Sequence, residues 1–259
     1  MIPDYHMHTH FSDGEDVHEE YIHQAAKAGI SEIGFTDHFS ILPSDWNTPS
    51  GQVQAMKNKI LNLKNTKPLP VEVKFGAEID YIPGKENEIK SMIQQLPLDY
   101  VIGSVHFIDS WNFDTAPEEY DGRDIDDLYK RYYSLLEESV QTGFYDIIGH
   151  FDLIKKFGYY PETQPVKQIE KVIQTMRSHD LTAELNTNGI NKPCGEMYPS
   201  REILELLFRH NVPVTLSSDA HKPGQVGQYF PEAIELLKSV GYRKIAAFSG
   251  RKRTLVDLT

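Results

Sequence analysis

Short apolar runs alternate along the chain with longer segments in which apolar residues recur every three or four positions. The short runs predict strands at the opening stretch Asp4–His10 and at 32–36, 71–77, 100–105, 146–149, 182–186 and 212–217. The periodic segments predict helices at 16–29, 52–63, 83–96, 125–141, 166–179, 200–208 and 231–240, with a last short strand at 244–248. In the first helix Val17, Tyr21, Ala25 and Ala28 form the inward stripe. Asp16 is placed to cap it, with Glu19 three positions on, and Gly29 to end it. Strand and helix alternate throughout, which predicts an α/β fold with a parallel sheet. Seven or eight such units close naturally into a TIM-like barrel. An open doubly wound sheet is the alternative. No repeat or linker interrupts the pattern, so residues 1–259 are expected to form a single domain. The stretch 107–123 is long, acidic and aromatic, as lids and binding loops are.

The ionisable residues fall at the ends of the predicted strands. His6 and His8 lie on one face of the first, because side chains two apart in a strand point the same way. His38 follows the second strand, Glu78 ends the third, His106 the fourth and His150 the fifth, while Asp219 and His221 follow the seventh. In a parallel barrel these ends share one rim, where active sites are built. His18, His23, His179 and His210 fall on or near helices instead. His10, just past the pair, is a candidate to orient a ligand or to face substrate. With Asp13 the rim holds nine nitrogen and oxygen donors and no thiolate, which suits Zn, Mn or Fe(II). That is enough for three ions if Glu78 or Asp219 bridges.

Composition narrows the class. A 25% charged fraction and 39% hydrophobic content are those of an ordinary globular chain. The formal charge of -12 and the lack of a basic stripe argue against nucleic acid and anionic membrane as partners. They also sit oddly with an anionic substrate, unless bound cations reverse the sign locally. One cysteine, Cys194, excludes an internal disulfide and fits a reducing compartment. No apolar run is long enough to span a bilayer and no signal peptide is evident, so a cytoplasmic location is expected. Oligomeric state leaves no trace in the sequence.

The ordered set His6-Met7-His8-Thr9, Thr36-Asp37-His38, Glu78, His106, Gly149-His150 and Ser218-Asp219-Ala220-His221 resembles the polymerase and histidinol phosphatase (PHP) superfamily. The resemblance implies a distorted (β/α)7 barrel holding three divalent ions. By position, His6, His8, Glu78 and Asp219 would take one ion, Glu78, His106 and His150 a second, and Asp13, His38 and His221 the third. Gly76-Ala77-Glu78-Ile79-Asp80-Tyr81, Gly149-His150-Phe151-Asp152-Leu153-Ile154 and Asn186-Thr187-Asn188-Gly189 look like the PHP-type histidinol-phosphate phosphatases. Their reaction splits L-histidinol phosphate into L-histidinol and phosphate, through a metal-activated hydroxide. The family usually places an arginine after each of the last two stretches. This chain has Lys155 and Lys156 at the first place and Asn191-Lys192 at the second. Lysine keeps the charge but lacks the bidentate fork.

A metal-dependent phosphomonoesterase with a small-molecule substrate is therefore expected. Lys155, Lys156, Lys192 and Asn186 are candidates to bind substrate. Asp37, His10, Asp152 or a metal-bound water are candidates for the leaving-group acid. Asp152 could instead orient His150, and Asn186 could stabilise a turn. Trp46, Trp111, Phe113 and Phe151 could frame an imidazole ring or pack the loops. The alternatives are a phosphatase for another small monoester, a phosphodiesterase, and a non-catalytic metal-binding module on the same barrel.

Overall fold

The computed structural model describes residues 2–66 and 68–258. Its strands are β1 (Pro3–Asp4), β2 (Glu32–Phe35), β3 (His38–Phe39), β4 (Glu72–Phe75), β5 (Glu78–Asp80), β6 (Ile102–Ser104), β7 (Phe107–Ile108), β8 (Trp111–Asn112), β9 (Ile147–Ile148), β10 (Thr182–Asn186), β11 (Val214–Ser217), β12 (Lys244–Ser249) and β13 (Lys252–Asp257). Its α-helices are α1 (His18–Lys27), α2 (Val53–Asn65), α3 (Glu86–Gln94), α4 (Ile125–Gln141), α5 (Val166–Ser178), α6 (Arg201–Arg209) and α7 (Phe230–Val240). None of the described helices is long and apolar enough to cross a membrane.

Parallel pairing runs β1-β2-β4 in one sheet and β3-β5-β6-β9-β10-β11 in the other. The two sheets are one ring. β3 continues β2 past a kink at Thr36-Asp37, and β5 continues β4 past Gly76-Ala77. Tyr5 N–H donates to the Leu216 carbonyl (3.4 Å), and Met7 bridges Ala220 in parallel, so the last strand returns to the first. Seven staves in chain order thus close a barrel, and the two broken staves are its distortion. The closed reading of the sequence holds over the open sheet.

The kinks have visible causes. Met7 and Thr36 exchange hydrogen bonds, the Thr36 N–H going to the Met7 carbonyl (2.9 Å) and the Met7 N–H to Thr36 Oγ1 (3.0 Å). At Gly34 and Gly76 any Cβ would overlap the Tyr100 ring, which crosses the barrel interior there. Tyr100 Oη donates to the Tyr5 carbonyl (2.8 Å).

The helices are amphipathic and lie outside the ring. α4 shows why. Asp124 caps it by accepting from Asp127 N–H (3.0 Å), and Asp126 and Asp127 oppose the positive end of its dipole. Tyr129, Tyr132, Tyr133, Leu136 and Val140 follow at helical spacing, all buried. α1 differs from expectation. Val17 is its N-cap residue, and the Asp16 carboxylate accepts only from Val17 N–H (2.8 Å), so the expected capping box does not form.

The chain ends in an antiparallel hairpin, β12 with β13, where the sequence predicts only its first strand. Ala246, Ala247 and Phe248 of β12 close a cluster with Tyr5, Tyr100, Ile102 and Ile147. The loop 107–123 carries the small β7-β8 hairpin, with the Arg123 guanidinium 3.7 Å from the centre of the Trp111 ring.

Candidate metal centre

The nine predicted donors do converge. In the β3-β5 pairing His38 lies directly opposite Glu78, and both face the rim. Glu78 is the hub: its Oε2 lies 3.0 Å from His6 Nε2, 2.9 Å from His38 Nδ1 and 3.6 Å from His8 Nε2. Its Oε1 lies 2.9 Å from His150 Nε2 and 3.7 Å from His106 Nε2, and accepts from Ser104 Oγ (2.6 Å). Asp219 Oδ1 stands 3.3 Å from His8 Nε2 and 3.8 Å from His6 Nε2. It gets there from a left-handed backbone with φ of 50°, which an aspartate tolerates better than most residues. Asp13 faces His221 at 3.3 Å, His38 at 3.7 Å and His8 at 3.8 Å. Its loop fits because residue 14 is glycine, since a Cβ there would overlap the His8 carbonyl.

Three donor sets have ligand atoms mutually within 4.8 Å among the described residues. They are His8 with Asp13, His38 and His221; His6 with His8 and Glu78; and His38 with Glu78 and His106. The orphan atoms test whether cations fit. His6 Nε2, both His8 ring nitrogens, Glu78 Oε2 and His150 Nδ1 are buried with no aligned hydrogen bond. Such groups cost stability unless something else binds them. The His8 ring stacks at 4.2 Å on His38 and lies 4.3 Å from His221, a crowding of lone pairs that bound cations would relieve. The residues present fit divalent metal.

The pKa shifts point the same way. Burial opposes charge on His6, yet Glu184, Glu78 and Asp219 outweigh it and hold its pKa well above the ordinary value. Burial, with His38 and His221 beside it, pushes His8 down to about 3. Against burial, Asp80 raises His106 to about 9, and Asp13 and Asp219 raise His221 to about 9. Glu78 and Asp219 are held well below the carboxylate range despite burial, mainly by His6 with the other imidazoles. Without metal, protons on imidazole take the place that cations would fill.

Two carboxylates escaped the sequence reading. His6 Nδ1–H donates to Glu184 Oε1 and His106 Nδ1–H to Asp80 Oδ1, each at 2.6 Å. Both bonds leave Nε2 as the free donor atom facing Glu78. Alternation could have found them: Asp80 is two residues after Glu78, and Glu184 is two before Asn186 inside a predicted core strand.

Five expectations for substrate and acid residues need correction. Asn186 is fully buried: its amide donates to Glu184 Oε2 (3.2 Å) and Asp219 Oδ2 (3.1 Å), and its Oδ1 accepts from Asn188 N–H (2.9 Å), so it does not face substrate but braces the centre and stabilises the turn, the second of its two expected roles. Lys155 points away from the cleft and meets Asp152 Oδ2 (2.9 Å), Glu196 (3.1 Å) and the Met197 carbonyl (2.9 Å). Asp152 is turned away with it and accepts from Ser200 N–H (2.9 Å), so it neither orients His150 nor reaches a leaving group. Asp37 spends its oxygens on Thr9 N–H (2.7 Å), Ser12 Oγ (2.6 Å) and Thr9 Oγ1 (3.0 Å), tying the first loop to the second stave. His10 is exposed outside the cleft, with its backbone N–H on the Asp16 carbonyl (3.1 Å). Lys156 and Lys192 do line the cleft of about 550 Å³, with Trp46, Asp114 and Tyr198. Lys156 is paired with Asp114 Oδ1 at 2.7 Å. Trp46 lies over His38 (4.5 Å between ring centres), whereas Trp111, Phe113 and Phe151 pack elsewhere.

The family model for the PHP domain matches residues 4–188. The chain is 34% identical over 256 residues to the probable histidinol-phosphatase of Deinococcus radiodurans, covering 96% of this chain and 97% of that one. It is 28% identical to the histidinol-phosphatase of Lactococcus lactis, with 96% and 95% covered. The crystal structure of the histidinol phosphate phosphatase from Lactococcus lactis, complexed with zinc, L-histidinol and phosphate, superposes with a TM-score of 0.82 at 24% identity, covering 98% of each chain. On the matched family model and that relative of 34% identity, the chain belongs to the PHP domain family.

Proposed function

We propose that this protein is a metal-dependent phosphomonoesterase that hydrolyses L-histidinol phosphate to L-histidinol and phosphate. The observation that carries the reaction class is Glu78, one buried carboxylate whose two oxygens face five imidazoles at 2.9–3.7 Å. The substrate rests on the relatives above, which match over nearly their whole length.

In this reading three divalent ions, zinc, manganese or iron, are held by the nine rim donors. His6, His8, Glu78 and Asp219 take one, Glu78, His106 and His150 another, and Asp13, His38 and His221 the third. Bound there, such ions supply Lewis acidity toward phosphoryl oxygens and lower the pKa of water. The chain's own residues do the rest. Glu184 and Asp80 fix the His6 and His106 rings with Nε2 inward. Asn186 and Ser104 hold the carboxylates of Asp219 and Glu78 in place. Lys156 and Lys192 meet the outer phosphate oxygens, with the Lys156 ammonium shared between Asp114 and substrate. Trp46 forms an apolar wall where a heteroaromatic substrate can lie. Residues 1–259 act as one unit, because the first and last staves share the metal centre. Cys194, free and half-buried, suits a reducing cytoplasm.

Elemental analysis joined to phosphate release tests the reading. The metal-loaded protein should release phosphate from L-histidinol phosphate faster than from other small phosphomonoesters. A preference for a phosphodiester, or metal-loaded protein inert toward all of them, would refute it.

A further inference from the structure

Apart from the candidate metal donors, four charged residues line the cleft: Asp45, Asp114, Lys156 and Lys192. Two of them touch. The Lys156 ammonium lies 2.7 Å from Asp114 Oδ1 and donates to the Asp114 carbonyl (3.0 Å). An ammonium has three donors, so one is left for an anion in the cleft. Asp114 is half spent in the same way. Its Oδ1 is buried under Lys156, while Oδ2 takes no hydrogen bond from any described residue. The side chain, 26% exposed, borders the cleft.

The place of Asp114 is fixed from the rim. Phe113 N–H donates to the carbonyl of His106 (3.2 Å), and the buried Phe113 ring stands edge-on to Tyr132, 5.6 Å between centres. Asp114 N–H donates to Asn112 Oδ1 (3.0 Å). A carboxylate is thereby held beside the one lysine it pairs with, at the mouth of the metal centre. Such a pair complements a substrate that carries both charges close together. In a 2-aminoalkyl phosphate, of which L-histidinol phosphate is one, the ammonium stands two carbons from the ester oxygen. With a phosphate oxygen on Lys156, that ammonium comes to Asp114 Oδ2, and the two ion pairs lie head to tail. Without Asp114, the cations that attract the phosphate would repel the ammonium beside it.

We propose that Asp114 is a specificity-determining residue of this cleft, accepting the ammonium of a phosphomonoester whose amine is on the carbon next to the ester carbon. The inference rests on the phosphomonoesterase reading.

Calorimetric titration of the metal-loaded full chain with 3-aminopropylphosphonate tests it. Butylphosphonate is the match, with a methyl in place of the ammonium. Neither has an ester bond to hydrolyse, so binding is read without turnover. The amine should bind at least about tenfold tighter. In Asp114→Asn that preference should vanish, while butylphosphonate still binds and reports a folded cleft. Asp45→Asn, which removes the other carboxylate that is not a metal donor, should keep the preference. Equal affinity in the parent chain, or a preference that survives Asp114→Asn, would overturn the proposal. Loss in Asp45→Asn alone would give the ammonium to Asp45 instead. Phosphate release from L-histidinol phosphate, followed alongside, separates the two readings. Turnover without the amine preference would remove this inference alone, whereas no turnover of any phosphomonoester would remove the phosphatase reading.

Discussion

The two ends of the barrel treat buried polar groups in opposite ways. At the end closed by the β12-β13 hairpin the buried polar groups of Tyr5, Tyr100 and Glu32 are paired. Tyr100 Oη donates to the Tyr5 carbonyl (2.8 Å), Phe248 N–H donates to Tyr5 Oη (3.0 Å), and Lys74 answers Glu32 at 3.3 Å. At the rim, imidazoles and carboxylates crowd together and several of their atoms stay unmatched. At the closed end the chain itself supplies these partners. The other end is complete only with something the chain does not supply, so stability and chemistry reside at different ends of the same staves.

Substitutions at the two ends should therefore separate activity from stability. Glu78→Gln should remove most bound metal and lower turnover by about 10³-fold or more, while the metal-free fold stays intact. Metal analysis and circular dichroism check this, and unchanged metal content would contradict the hub role. Tyr100→Ala at the closed end should do the reverse. It should cost about 3–5 kcal/mol of stability in denaturant titrations, with unchanged metal content per folded molecule.

Metal uptake should depend steeply on pH. His106 and His221, raised to about 9, are protonated at neutral pH without metal and must release those protons to bind it. Affinity should rise about tenfold per pH unit for each displaced proton and level off above about 9. Competition titrations with a chelator over that range would show it, and a flat profile would mean that these rings are not ligands.

Smaller effects grade the supporting residues. Glu184→Gln keeps a hydrogen bond to His6 but loses the charge, so metal affinity should fall by about 10–100-fold with little change in fold. A chelator midpoint reads that loss. Lys192→Ala should raise KM about tenfold and leave kcat nearly unchanged, if its charge serves ground state and transition state alike. A drop in kcat alone would assign Lys192 to the transition state.

Legibility followed how locally each element is determined. α4 and β10 match their sequence-based bounds, because each carries its own period, and α4 its own cap. β3, β7 and β8 have two residues each and are held by partners distant in sequence or by a hairpin turn, so no run of apolar residues announces them. β13 is mostly exposed and reads Lys-Arg-Thr-Leu-Val-Asp, with little alternation to detect. The candidate metal donors were legible because strand ends must share a rim. Asp37, His10, Asp152 and Lys155 were not, since neighbours in sequence take opposite sides of a turn, as Lys155 and Lys156 do.

The order of strands and helices, the parallel sheet and the gathering of His6, His8, His38, Glu78, His106, His150, Asp219 and His221 were determined by sequence alone. Periodicity and chain direction leave those side chains no other common place. Tertiary structure decided which carboxylates orient the rings, which lysines reach the cleft, and where the staves break. Those outcomes depend on hydrogen bonds such as His6 to Glu184, 178 positions apart, whose partners only closure of the barrel brings within reach.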